Sequence, residues 1–413
     1  MAKFQESLKA LCIRFASTIS FLDEATELED YLIRIRRKIH ASPELAYHEQ
    51  ETAALVASEL RRAGIHVETR VGGTGVVGIL EGDAHGRTVA LRADMDALPI
   101  QEHSGEAFAS KSEGVMHACG HDSHIAMLLG AARILASHRA DLKGTVKFLF
   151  QPAEEAAEKG GGAKPMIEAG VLERPKVDYV FGLHIFSNFP SRTFALRPGP
   201  LMAASGTFRI RVLGRGGHGS APHQTIDPIF VAAQLITALQ GIRSRMVDPV
   251  EPSVVSVCSV HSGTRNNIIP DDAILEGTMR TVDDATKRRV ASLIRRISYS
   301  VCRTFAARCE VEIEDAYPVT VNNPVVEAKV FRVLSTIPGT RTTEVPPLLV
   351  AEDFSFYLRK APGTYYFLGT RNESKGCVSP NHSSRFRVDE DVMKYGADSL
   401  ALLAYEFSGR GVS

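Results

Sequence analysis

Residues 205–213, Ser-Gly-Thr-Phe-Arg-Ile-Arg-Val-Leu, alternate Phe208, Ile210 and Val212 with Thr207, Arg209 and Arg211. A period of two marks a strand with one buried face. Downstream come a helical stretch at 227–243, extended stretches at 253–260 and 273–280, a long helical one at 284–305 and a last extended one at 309–314. That order, β-α-β-β-α-β, is the split ferredoxin-like unit. Pro198-Gly199-Pro200 before it and Pro318 after it read as hinge punctuation.

The chain upstream is patterned differently. Residues 29–40 put Leu32, Ile35 and Ile39 on one helical face, and a second helix from about Gln50 to Arg62 closes at Gly64. Extended segments are expected at 65–70, 76–81 and 88–93, a buried helix at 124–137, and strands at 145–150 and 178–183. Helices and strands return after Pro318. The fold class expected is therefore α/β. A catalytic domain with a central mixed sheet flanked by helices is built from 1–201 and 317–413, and the ferredoxin-like βαββαβ unit is inserted at 202–316. A length of 413 residues agrees, since one hydrophobic core rarely serves so long a chain.

Composition narrows the function. Basic and acidic side chains balance at 48 each, so no net field draws in nucleic acid or an anionic membrane. No apolar run approaches the roughly 20 residues of a membrane-spanning helix. Near the start, Phe4, Leu8, Leu11, Phe15, Ile19 and Leu22 recur at helical spacing, as in an amphipathic helix packed on the body. Glu6, Asp23 and Glu24 speak against a cleaved organellar presequence. Six scattered cysteines form no disulfide framework and suit a reducing cytoplasm.

The densest chemistry is His117-Ala-Cys119-Gly-His121-Asp122-Ser-His124, just before the apolar helix. Imidazole and thiolate suit zinc and its first-row neighbours, and a loop entering a helix can converge them on one ion. A lone histidine is more often a satisfied core residue; His117, Cys119, His121 and His124 crowded into one short run are not. Glu154-Glu155 come directly after the strand at 145–150, and adjacent side chains diverge there. The pair suits a division of labour, one carboxylate on metal and one on water, although an acidic pair can also cap a helix. Asp94 and Asp96 follow the strand 88–93, His184 ends the strand at 178–183, and His382 lies in a polar segment. In open α/β sheets ligands collect beyond the carboxyl ends of strands, so these side chains are expected on one edge. Gly73-Thr-Gly-Val-Val-Gly78 matches a dinucleotide-binding pattern but leads into a strand instead of a helix, and reads as a turn.

Taken in order, these motifs are specific: His40-Ala-Ser-Pro43-Glu44-Leu45, Arg92-Ala-Asp94-Met-Asp96, His117-Ala-Cys119-Gly-His121-Asp122, Gln151-Pro-Ala-Glu154-Glu155, Gly182-Leu-His184, Arg197-Pro-Gly-Pro200, Gly214-Arg-Gly-Gly-His218, Asn267-Ile-Ile-Pro270, Ala351-Glu352-Asp353-Phe354 and Asn381-His382. The sequence resembles the metallopeptidase-type amidohydrolases, the carboxypeptidase G and aminoacylase group. Within them it is similar to the branch of hippurate hydrolases, N-acyl-amino-acid amidohydrolases and auxin-conjugate (IAA-amino-acid) hydrolases.

The resemblance implies a phosphorylase/hydrolase-like aminopeptidase-type body with a ferredoxin-like lid. It implies metal ligands Cys119, His121, Glu155, His184 and His382, Glu154 as general base, and Asp96 orienting the site from behind. It places His218 at a partner subunit's active site and Asn267 and Arg280 near the substrate carboxylate. Two divalent ions per subunit are expected, manganese or zinc, with cobalt and nickel as further candidates. The reaction implied is cleavage of a small-molecule N-acyl amino acid by a metal-bridging hydroxide, in a homodimer joined through the lid, with neither nucleic acid nor membrane as a partner. The rivals are a dipeptidase or carboxypeptidase of the same family and an inactive metal-binding scaffold. Glu154, which a structural site would not require, speaks against the scaffold. Ser123 and the charged stretch Ala156–Lys159 depart from the family pattern without removing a ligand.

Overall fold

The computed structural model describes residues 20–409. Most of the helix expected at residues 4–22 lies outside them. Helix Glu29–His40 begins with Glu29 and Asp30 and ends with Arg37, Lys38 and His40, charges that complement its dipole, and it buries Leu32, Ile35 and Ile39. Helix Gln50–Arg62 gives way at Gly64, whose φ of +75° is the left-handed conformation that ends helices.

Eight strands form one mixed sheet, in the order His66–Val71, Gly75–Glu81, Lys143–Gln151, Ala84–Asp94, Tyr179–Pro190, Gly363–Arg371, Thr193–Leu196 and Arg341–Glu344. Strand Ala84–Asp94 runs parallel to both its neighbours, and Tyr179–Pro190 is parallel to Gly363–Arg371. Burial on both faces explains why Val89-Ala90-Leu91 is apolar without alternation. Leu91 and Phe148 point to a core shared with helices His121–Ser137 and Met393–Ser408. Their neighbours Ala90 and Leu149 point to the opposite core, with Met166, Phe354 and Tyr357. The sheet is thus covered by helices on both faces.

A second, four-stranded sheet is antiparallel throughout, in the order Ser253–Ser262, Asp272–Thr281, Ala204–Leu213, Arg308–Asp315. Helices Pro228–Gly241 and Asp284–Thr304 share a core with its buried residues Phe208, Ile210, Val212 and Leu275. Both helices start on an aspartate: Asp227 accepts from Ile229 and Phe230 amides, Asp283 from Ala285 and Thr286 amides. Every element expected of the β-α-β-β-α-β order is present.

Three details correct or settle the sequence reading. The strand expected at 178–183 continues to Pro190, so His184 sits in mid-strand instead of at its end. The helix expected from 124 begins at His121, behind a left-handed Gly120. Gly73 has φ +114° in a turn, and Gly75 opens a strand paired to His66–Val71, as the turn reading required. Among the described residues no helix is long and apolar enough to cross a membrane.

Candidate metal centre and active site

Five stretches of chain build the site, one of them strand Tyr179–Pro190, which carries His184. Strand Ala84–Asp94 delivers Asp94 and, two residues on, Asp96. Strand Lys143–Gln151 delivers Glu154 and Glu155 after a bend at Ala153, whose φ of +55° is left-handed. For an alanine that conformation costs about 1–2 kcal/mol. Gly120 turns the chain between Cys119 and His121, and a Cβ there would stand 2.3 Å from Ile185 Cδ1. His382 arrives from a loop, also with positive φ (+66°), held by its own amide on Ala118 O at 2.8 Å and by Asn381 Nδ2 donating to Cys119 O at 2.9 Å.

The five expected ligands converge. Cys119 Sγ is 3.3 Å from both His184 Nε2 and His382 Nε2. Glu155 Oε1 lies 3.1 Å from His382 Nε2 and 3.9 Å from His121 Nε2. Glu155 Oε1 and His121 Nε2 are buried with ion-pair contacts only and no well-formed hydrogen bond. Cys119, His121 and His184 form one group whose donor atoms all lie within 4.8 Å of each other; Cys119, Glu155 and His382 form a second. Asp96 fixes the Glu154–Glu155 backbone, accepting from the Glu154 amide at 3.1 Å and the Glu155 amide at 2.9 Å. The ring of His121 is oriented by Asp96 O, 2.9 Å from Nδ1.

Buried negative charge is in excess here. Asp94, Glu352 and Asp353 share one guanidinium, Arg92, which bonds them at 2.6, 2.9 and 2.8 Å; Glu154 groups with Glu352 and Asp353 and, with Glu155, beside His121. Uncompensated buried charge is too costly to stand alone. Two buried ligand atoms without a well-formed hydrogen bond, soft and borderline ligands and surplus carboxylates together fit divalent cations.

Without cations the groups repel one another's charge. Burial, then Glu352, Glu155 and Asp353, holds the Glu154 carboxyl well above the ordinary range. Burial, then Glu155, Glu154 and Asp94, pushes up the Cys119 thiol. Burial disfavours a charged His121, but Asp94, Asp96 and Glu155 outweigh it and push the ring up to about 10. A bound cation reverses this logic, favouring thiolate, carboxylate and neutral imidazole.

The other expected residues lie elsewhere. His218 is exposed, its Nδ1 2.8 Å from Ser220 Oγ, on a short ribbon paired with Ile268. Asn267 accepts from the Gly219 amide through its carbonyl, and Arg280 donates to Thr278 Oγ1 and Met279 O. None of these contacts reaches the cysteine–histidine cluster. Within the His117–His124 segment, Asp122 is taken by Arg36 and His40, and His117 is fully buried with neither ring nitrogen partnered. His124 is held between Asp94 Oδ1 at 2.6 Å and the Ile185 amide at 2.9 Å. Sequence reasoning assigned no role to Glu49, Arg92, Tyr317 or Asn381, which hold the site together. The motifs around Arg92 and Asn381 carried a signal for two of them; for Glu49 and Tyr317 there was none.

Comparison with known proteins agrees with this geometry. The sequence signature of Peptidase family M20/M25/M40 matches residues 90–406. Thermostable carboxypeptidase 2 of Saccharolobus solfataricus is 55% identical over 94% of this chain and 98% of its own. IAA-amino acid hydrolase ILR1-like 4 of Arabidopsis thaliana is 40% identical over 94% of this chain and 88% of its own. The crystal structure of Bacillus subtilis YXEP, described as a dinuclear metal binding peptidase from the M20 family, superposes with a TM-score of 0.81 at 34% identity, covering 93% of this chain and 99% of that one. A buried, cation-demanding cluster with a spare glutamate, on this fold and with these relatives, leaves one conclusion: the chain belongs to peptidase family M20/M25/M40 and is a hydrolase of amide or peptide C–N bonds.

Proposed function

We propose that the enzyme hydrolyses N-acyl amino acids, releasing a carboxylic acid and a free amino acid. The observation that carries the mechanism is the division of the adjacent glutamates. Glu155 faces His121 and His382, while Glu154 groups with Glu352 and Asp353 as well as with His121 and Glu155, and is left free for the base role in this reading. Cys119, His121, Glu155, His184 and His382 would hold two divalent ions, which when bound supply Lewis acidity and lower the pKa of water. Glu154 takes the proton of the attacking water and returns it to the leaving amine. Asp96 holds the backbone that carries both glutamates.

Residues 202–316 act as a lid in this reading, bringing Asn267 and Arg280 to the substrate, with Arg280 on its free carboxylate. His218 would assist at a partner subunit's site in a homodimer. Manganese or zinc is the proposed metal, and a reducing cytoplasm would keep Cys119 free to ligate. The carboxypeptidase at 55% identity favours a second reading, cleavage of peptides with a free C-terminus.

The test is amine release from N-acetyl, N-benzoyl and indole-acetyl amino acids beside free dipeptides. The protein is stripped by chelator and reloaded with zinc, manganese, cobalt or nickel. Cleavage of the acyl conjugates supports the proposal, and cleavage of peptides alone supports the second reading. Glu154→Gln is expected to keep its metal and lose about 10²–10⁴-fold in kcat, the range of general acid–base catalysis. Full turnover in that variant would sink the mechanism, whereas Cys119→Ala should lower metal content.

A further inference from the structure

Besides His382, two residues other than glycine near the site have left-handed backbones, Ala153 (φ +55°) and Tyr47 (φ +66°). One buried carboxylate serves both. Glu49 Oε1 accepts the Ala153 amide at 2.9 Å and the Tyr47 amide at 3.0 Å, and its Oε2 accepts Thr74 Oγ1 at 2.6 Å. Glu49 is 0% exposed.

Its place in the sequence makes this use of the side chain unexpected. Glu49 stands at the N-cap of helix Gln50–Arg62, where a side chain ordinarily accepts from the helix's first free amides, yet it makes no such bond. Glu44 does that work from outside, accepting from Glu51 N at 3.0 Å and Thr52 N at 2.8 Å. The capping position is thus released to hold the residue immediately before Glu154. A strained backbone persists only where its surroundings over-determine it, and such strain gathers at functional sites.

We infer that Glu49 is a positioning residue for the reaction: with Thr74 behind it, it locks Ala153 in the left-handed bend that aims Glu154. This rests on Glu154 being the base. Asp96 fixes the amides of Glu154 and Glu155 together; Glu49 fixes the bend one residue earlier, so its loss should re-aim the base more than the ligand. A misplacement of about 1 Å at a reacting group can cost on the order of 10²-fold in rate.

The experiment compares Glu49→Ala, Glu49→Gln, Thr74→Val and Glu154→Gln in the manganese-loaded holoenzyme. The probes are N-benzoyl amino acids and N-blocked dipeptides, with kcat, KM and bound metal measured separately. Glu49→Ala is expected to lose about 10–100-fold in kcat with KM and metal content near wild type. Glu49→Gln keeps a carbonyl oxygen for the two amides, can donate from its amide nitrogen to the Thr74 hydroxyl, and should recover most of the loss. Thr74→Val should show a smaller loss of the same kind, and it decides the matter if Glu49→Ala does not fold. Wild-type kcat in a folded Glu49→Ala or in Thr74→Val, or a loss carried by KM or metal content, overturns the inference. If Glu154→Gln is inactive while Glu49→Ala turns over normally, only the role of Glu49 falls. If Glu154→Gln itself turns over, the base assignment falls and takes this inference with it.

Discussion

At the scale of single residues, the site is a set of backbone constraints as much as a set of candidate ligands. Tyr317 is the clearest case. Its hydroxyl donates to the carbonyl of Glu154, and its own backbone is tied to Ser205, with the Ser205 amide on Tyr317 O at 2.9 Å and the Tyr317 amide on Ser205 Oγ at 3.1 Å. Ser205 lies at the start of strand Ala204–Leu213 and Tyr317 just beyond the end of Arg308–Asp315, so one buried side chain links that junction to Glu154. Tyr317→Phe removes only the hydroxyl. It should lower kcat by roughly 3–10-fold at unchanged KM and cost about 1 kcal/mol, the worth of one hydrogen bond. Steady-state kinetics and urea titration on the same preparation check both numbers, and an unchanged kcat with lowered stability would make Tyr317 structural only. The cluster that would hold metal was legible in the sequence because Cys119, His121 and Glu155, its expected ligands, fall in dense, chemically distinctive runs. Glu49 and Tyr317 were not, because each acts through a backbone group far away in the sequence and neither residue type announces that.

At the scale of elements, the strands were legible wherever a face is half-buried and the period of two survives, as in Ala204–Leu213. Boundaries were lost where tertiary context extends an element. Tyr179–Pro190 runs six residues beyond His184 because it keeps pairing with Gly363–Arg371, whose Phe367 sits opposite His184. Strand Ser253–Ser262 is the outermost of its sheet, an edge with unused backbone groups. Nearby stand exposed apolar side chains: Ile229 (47%) and Phe230 (50%) open helix Pro228–Gly241, with Val260 (47%) on the edge strand and Ile268 (50%) beside His218. This is the surface that the proposed homodimer would bury. Phe230→Asp should therefore convert the protein to a monomer in sedimentation velocity and cut turnover, since His218 would no longer reach a partner's site. A wild type that sediments as a monomer, or a monomeric variant with full activity, removes the dimer and the role of His218.

At the scale of the whole molecule, the balanced net charge conceals strong local imbalance, and stability should follow pH accordingly. Asp398 lies in helix Met393–Ser408, fully buried, with Oδ1 accepting the Phe21 amide at 3.0 Å and Oδ2 unpartnered. Burial pushes its carboxyl up, the Phe21 amide offsets part of that, Glu24 adds to it, and the result is about 6. The unfolded chain titrates this group near 3.9. Between those values the native state holds a proton that the unfolded state has released, so stability falls as pH rises from about 4 to 6 and the deficit is complete above that. The shift of about two pKa units corresponds to roughly 2–3 kcal/mol. Asp398→Asn cannot ionise and keeps a carbonyl oxygen for the Phe21 amide. The stability difference between variant and wild type, from urea unfolding at a series of pH values, should be near zero at pH 4 and favour the variant by roughly 2–3 kcal/mol at pH 7. Taking the difference cancels metal loss and the other titrations common to both proteins. A difference that stays constant across that range would mean that Asp398 is not the group whose proton the fold retains.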